Sequence, residues 1–265
     1  MSFWNAIAAS LGLARPLPVG KPGMRAYAIG DVHGCLDQLR ELLTAIEADN
    51  AARPRCTSYV ILLGDLIDRG PESRGVVELL RTYTPPGMQP VFIKGNHEEF
   101  LLRAMDGDPG VLHPWLEYGG RECAESYGID PGRLVALEEE DAAVLLRECV
   151  PDAHRQFLDG FADTFRFGDY LFVHAGIRPG IPLESQVPAD LRWIRQPFLS
   201  DTADHGLVIV HGHTISDCAD VRPNRIGIDT GAYRGGPLTA LAIEGAERRL
   251  FQTNGDGRGA AITPL

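Results

Sequence analysis

Arg25-Ala26-Tyr27-Ala28-Ile29-Gly30-Asp31-Val32-His33-Gly34 decides the fold. A mostly apolar run stops at a turn that holds a carboxylate and an imidazole between glycines. Leu36, Leu39, Leu43 and Ile46 follow at the spacing of one helix face. The theme then recurs. Residues 59–63 end in Gly64-Asp65-Leu66-Ile67-Asp68-Arg69-Gly70, and Val76, Leu79 and Leu80 mark the next helix. Residues 90–94 end in Gly95-Asn96-His97-Glu98, and residues 100–105 continue as helix. Strand, loop and helix in threefold succession predict a βαβαβ core with parallel strands. Ligands of such folds bind at the carboxyl ends of the strands, where all three polar clusters fall.

Downstream the pattern changes. Residues 107–163 read as helical stretches, including 142–149, broken by Asp-Pro-Gly turns. Trp115, Leu116, Tyr118 and Tyr127 are the expected core of this insert, which reads as a cap beside the site. Runs at 170–173, 207–210, 225–228, 238–243 and 250–252 are strand-like. They lie too close together for crossover helices, so this half is expected to be antiparallel or mixed. The expected organisation is an amino-terminal helix and linker over 1–23, one α/β domain over 24–255 and a tail over 256–265. Trp4, Ile7 and Leu11 fit one face of that first helix. The absence of a basic leading segment speaks against a secretory signal.

Composition narrows the function. With 25 Lys+Arg against 36 Asp+Glu, the net charge of −11 is unsuited to general nucleic-acid binding, which needs clustered cations. No apolar run is long enough to span a bilayer, so no stable membrane association is expected. Five cysteines, none in a C-x-x-C pair, read as reduced thiols of a cytoplasmic protein.

The metal-capable residues that follow strands are Asp31, His33, Asp65, Asn96, His174 in His-Ala-Gly, and His211 in His-Gly-His. Oxygen plus imidazole without thiolate favours Mn²⁺, Fe or Zn²⁺ over calcium. Six ligands exceed the needs of one catalytic ion with open positions. They suit two ions about 3.5–4 Å apart that share a carboxylate. Asp65, central in the set, is the natural bridge.

These five motifs together resemble the signature set of the calcineurin-like metallophosphoesterases. More narrowly they resemble the serine/threonine phosphoprotein phosphatase family in its bacterial and phage branch. The resemblance runs from about residue 25 to 243. It implies a four-layer α/β/β/α sandwich of two mixed sheets with the helical cap inserted. It also implies two divalent ions, Mn²⁺ foremost. By the same resemblance Asp31, His33 and Asp65 hold the first ion, and Asp65, Asn96, His174 and His211 the second. Arg69, and Arg195 in Trp193-Ile194-Arg195, resemble the phosphate-gripping arginines. His97 resembles the general acid and Asp68 its orienting carboxylate. His213 is expected at most to support the site, and residues 228–232 to support its wall.

The implied reaction is a single-step in-line hydrolysis by a metal-bound hydroxide, with no phosphoenzyme. The first expectation is a phosphomonoesterase acting on phosphorylated proteins or peptides, because the Asp68-Arg69 pair resembles that branch. The alternative is a symmetrical diadenosine-tetraphosphate hydrolase. A cyclic-nucleotide phosphodiesterase and a non-catalytic binding protein rank lower.

Overall fold

The run at residues 25–29 lies at the centre of a sheet, with a parallel neighbour on one side and an antiparallel one on the other. The computed structural model describes residues 17–254 and 259–265. The helix expected around Trp4, Ile7 and Leu11 lies outside the described residues. In chain order the strands are β1 (Met24–Ile29), β2 (Thr57–Leu62), β3 (Met88–Phe92), β4 (Thr164–Phe167), β5 (Tyr170–Val173), β6 (Val208–His211), β7 (Asp220–Val221), β8 (Arg225–Gly227), β9 (Thr239–Glu244), β10 (Glu247–Thr253) and β11 (Ala260–Pro264). They form two mixed sheets, ordered β11-β10-β9-β1-β2-β3 and β4-β5-β6-β8-β7. The pairs β1–β2 and β2–β3 are parallel, as the strand–helix succession requires. The helices α1 (Leu36–Ala52), α2 (Ser73–Arg81) and α3 (Asn96–Asp106) follow these three strands.

Side-chain alternation builds the layers. Tyr27, Ile29, Val60 and Leu62 face the helices, whereas Ala26, Ala28, Ile61 and Leu63 face the second sheet. There they meet Phe172, Val208, Val210 and Ile226 in the core between the sheets. On the outer face of the second sheet, Leu171, Val173 and Ile209 pack beneath Leu191 and Phe198. The result is the expected α/β/β/α sandwich.

The downstream half is mixed, as expected: β9 and β10 join the first sheet, antiparallel to β1 and to each other, while β5, β6 and β8 pair parallel in the second. One element differs from the sequence reading. Residues 256–265, read as a tail, include β11, which pairs antiparallel with β10 and forms the sheet's edge strand. The helical insert shares the core of the helix-covered face. Trp115, Leu116, Cys123, Tyr127 and Leu146 belong to the same cluster as Leu62, Leu66 and Val76. Tyr118 departs from expectation and is exposed, because the chain around Gly119 leaves the helical path at φ 114°. All five cysteines are free, and among the described residues no helix is long and apolar enough to cross a membrane.

Candidate active site

Among the described residues, five non-glycine residues adopt left-handed backbone, and every one lies in a strand-end loop: His33, Asp65, Asp68, Arg69 and His213. Each such residue costs on the order of 1–3 kcal/mol, and such strain collects where geometry serves function. Two glycines make room beside them. A Cβ on Gly95 would sit 2.2 Å from Asp65 Oδ1, and one on Gly212 would sit 2.0 Å from Asp31 Oδ1.

Asp65 is the centre. Its Oδ1 accepts the His97 backbone N–H at 3.1 Å and lies 3.3 Å from His174 Nε2. Its Oδ2 lies 3.6 Å from His33 Nε2 and 3.8 Å from His97 Nε2. Two groups of ligand-capable side chains result, each within 4.8 Å and each containing Asp65: His33, Asp65 and His97, and Asp65, His174 and His213. All are buried.

The imidazole network shows what the space demands. His174 Nδ1 donates to Leu63 O at 2.8 Å. Its Nε2 then faces Asn96 Oδ1 at 3.0 Å, His213 Nδ1 at 3.2 Å and Asp65 Oδ1. Two acceptor oxygens and a second imidazole nitrogen converge on one ring nitrogen, an arrangement that a cation, either a proton or a metal, would satisfy. Burial disfavours charge on His174, yet Asp65 outweighs it and raises the pKa to about 9. His213 is driven the other way, to about 2, by burial and by the positive charge of His174. His33 donates from Nδ1 to Ile67 O at 2.8 Å, and its Nε2 accepts from Arg69 at 3.0 Å. Oxygen and imidazole donors around a shared carboxylate, with a convergence that asks for positive charge, fit the dinuclear metal expectation.

The sequence placed His211 among the ligands, and the structure corrects this. His211 continues the outward face of β6, with Ile209, and its ring meets Phe198 edge-on at 5.1 Å. Burial among apolar neighbours lowers its pKa to about 4. His213, two residues on and turned by its φ of 64°, takes the place beside His174. Strand parity carried the signal. His174 shares the face of Phe172, and Phe172 pairs with Val210, so His211 must point away. Asp31 also differs. It turns both carboxylate oxygens to the His213 backbone N–H, at 3.1 and 3.0 Å, so it buttresses the His213 turn.

His97 and Asp68 meet as expected, with Nδ1 donating to Oδ2 at 2.7 Å. Burial opposes charge on His97, but Asp65 and Asp68 raise its pKa, and its Nε2 is buried without a hydrogen-bond partner. Three supporting residues went unassigned in the sequence. Trp115 donates its indole N–H to both Asp68 oxygens, at 3.0 and 3.2 Å. Glu98, fully buried, accepts the backbone N–H groups of Asp65, Leu66 and Gly95 and so ties two strand-end loops together. Tyr233 takes a hydrogen bond from Arg69 at 3.2 Å. The motif Asn-His-Glu signalled Glu98 as a capping residue of α3, whereas the other two carry no local sequence mark.

Arg69 is half-buried. Its backbone N–H donates to Gly119 O at 2.9 Å, so the insert holds it in place. A cleft of about 320 Å³ opens from it, bordered by Tyr118, Glu122, Tyr233 and Arg234. Arg195 is exposed, and among the described residues no hydrogen bond or ion pair of its side chain ties it to the Asp65 centre.

The sequence matches the calcineurin-like phosphoesterases over residues 24–237. It is 25% identical to the symmetrical bis(5'-nucleosyl)-tetraphosphatase of Nitrosospira multiformis, over 89% of this chain and 98% of that one. It is 29% identical to serine/threonine-protein phosphatase 1 of Salmonella typhimurium, over 82% of this chain and 91% of that one. Among solved structures, a cold-active protein-tyrosine phosphatase of a psychrophilic Shewanella superposes with a TM-score of 0.58 at 16% identity. That match covers 93% of this chain and 83% of the other, and it speaks for the fold alone.

Proposed function

The chain belongs to the calcineurin-like phosphoesterase family, and from that premise we propose that it splits bis(5'-nucleosyl) tetraphosphates symmetrically into two nucleoside diphosphates. One observation carries this choice of substrate: the similarity to the Nitrosospira multiformis enzyme extends along nearly the whole of both chains. The cleft beside Arg69, with its two tyrosines and second arginine, accords with a substrate that extends beyond one phosphoryl group. The sequence alone ranked a phosphoprotein phosphatase first, and the relatives reverse that order.

In this reading Asp65 and His33 would hold one divalent ion, with Asp31 bracing the neighbouring His213 turn, and Asp65, Asn96, His174 and His213 would hold the other. Bound metal supplies Lewis-acid charge at the phosphoryl oxygens and a nucleophile at neutral pH. The protein's own groups do the rest. The planar guanidinium of Arg69 is suited to bond two phosphoryl oxygens at once, and Arg195 would add a second guanidinium to the grip. His97 holds a proton at Nε2 for the departing oxygen. Asp68 fixes the other ring nitrogen, and Trp115 fixes Asp68. A departing nucleoside diphosphate is already a weak base, so it leans on that proton less than an alkoxide does.

The phosphoprotein reading retains one favourable observation. The 2.7 Å His97–Asp68 pair is what a serine or threonine alkoxide needs in order to leave. Rates on diadenosine tetraphosphate, a phosphoserine peptide and p-nitrophenyl phosphate, side by side in defined Mn²⁺, separate the two. The proposal expects the highest kcat/KM on the tetraphosphate, with ADP as the only nucleotide product. A phosphopeptide faster than the tetraphosphate would overturn it.

A further inference from the structure

Arg69 has a cationic neighbour with no acidic partner. The Cζ of Arg69 lies 4.9 Å from the Tyr233 ring centroid, and the Cζ of Arg234 lies 5.2 Å from the same centroid. Both guanidiniums also bond the Tyr233 hydroxyl oxygen, Arg69 at 3.2 Å and Arg234 at 2.8 Å. Their bonding nitrogens are therefore no more than about 6 Å apart. Among the described residues neither guanidinium pairs with a carboxylate, whereas Arg25, Arg192, Arg225 and Arg249 all do. One tyrosine thus holds together two like charges that would otherwise separate. Uncompensated cations at that spacing attract neighbouring anionic groups on one ligand.

The rest of the cleft argues against a bare polyphosphate chain. Glu117 and Glu122 line it too, and Glu122 Oε2 is buried without a partner. A run of further phosphates would meet these carboxylates, whereas sugar hydroxyls would satisfy them. Tyr118 lines the same cleft, 58% exposed, its ring parallel to that of Phe100 at 6.2 Å. That ring offers a surface on which a base can stack.

We propose that Arg234 binds the phosphate next to the one attacked, and that the cleft beyond it takes the nucleoside. Arg234 thereby selects nucleoside polyphosphates over simple monoesters. The identity of the physiological substrate rests on the function proposed above. The contact with a second phosphate does not, because it is tested with ADP as a competitor.

The test uses the full chain in Mn²⁺, with p-nitrophenyl phosphate as reporter and ADP or orthophosphate as inhibitor. Arg234→Gln disturbs Tyr233 and so lowers the reporter rate somewhat, which makes the ratio of inhibition constants the readout. The expected result is a rise of roughly tenfold in Ki for ADP relative to Ki for orthophosphate. Tyr118→Ala is expected to weaken ADP and leave pyrophosphate unaffected. An unchanged ADP-to-orthophosphate ratio in Arg234→Gln would overturn the proposal, as would equal weakening of ADP and pyrophosphate in Tyr118→Ala. Failure of the wild-type chain to cleave diadenosine tetraphosphate would sink the proposed function alone, because the ADP ratio still decides the role of Arg234.

Discussion

The strand-end loops and the helical insert contribute to one site in opposite ways. The loops after β1, β2, β3, β5 and β6 bring the charged and imidazole groups, held by strained backbone and close glycines. The insert brings no ligand-capable group to the centre. It supplies the Trp115 indole N–H to Asp68 and the Gly119 carbonyl to Arg69. The loops fix which chemistry is available, and the insert fixes where the acid and the phosphate grip stand. The comparison breaks if changes in the two regions produce the same kind of defect.

Asp65→Asn should have the largest effect. Its carboxylate is common to both ligand groups, so metal content and activity should fall together to near background. Elemental analysis beside a rate assay checks this, and a variant that keeps two ions but loses activity would contradict the sharing. His97→Asn comes next. It should keep its metal and lose about 10²–10⁴-fold in kcat on an alkyl phosphate, with a smaller loss on p-nitrophenyl phosphate. Equal losses on the two substrates would remove His97 from the proton-donating role.

Trp115→Phe tests the insert. Asp68 is fully buried, and the change removes its second donor, at a cost of about 1–3 kcal/mol in stability. The metal should stay, and the kcat loss should again depend on the leaving group, more weakly than in His97→Asn. A Trp115→Phe protein that lost metal would erase the distinction between the regions.

The smallest effect on activity belongs to the scaffold. Asp49 near the end of α1 accepts from both Arg249 nitrogens, at 2.6 and 2.9 Å, and from Tyr27 Oη at 2.6 Å. Burial works against its charge, but these hydrogen bonds lower its pKa to about 2. The folded value lies below the unfolded one of about 4, so the stabilisation is complete above that pH and disappears as pH falls through about 2. Asp49→Asn should therefore cost on the order of 2 kcal/mol at neutral pH, flatten the acid limb of the stability curve and leave kcat unchanged.

The same division explains what the sequence disclosed. His33, Asp65, Asn96 and His174, which the structure brings together, were legible because each follows an apolar run at a glycine-bearing turn, and Asp31 was legible in place though not in its bonding to the His213 backbone. The βαβαβ core was legible from the alternation of periods. His211 was misread because two histidines flank one glycine, and only strand parity, counted from Phe172 and Val210, separates them. Trp115 was read as core, which it is, yet burial alone does not reveal that its N–H points at Asp68. The strand β11 follows a break of polar residues after β10, and its own burial is slight, so it reads as a tail.

If the strand-end loops form a two-metal phosphoryl site, titration of chelator-treated protein with Mn²⁺, followed by bound metal and hydrolysis in the same samples, will show it. Two ions should bind per chain, with activity rising as the second site fills and His213→Ala abolishing one of the two. Full activity in chelator, or two ions retained in His213→Ala but lost in His211→Ala, would contradict it.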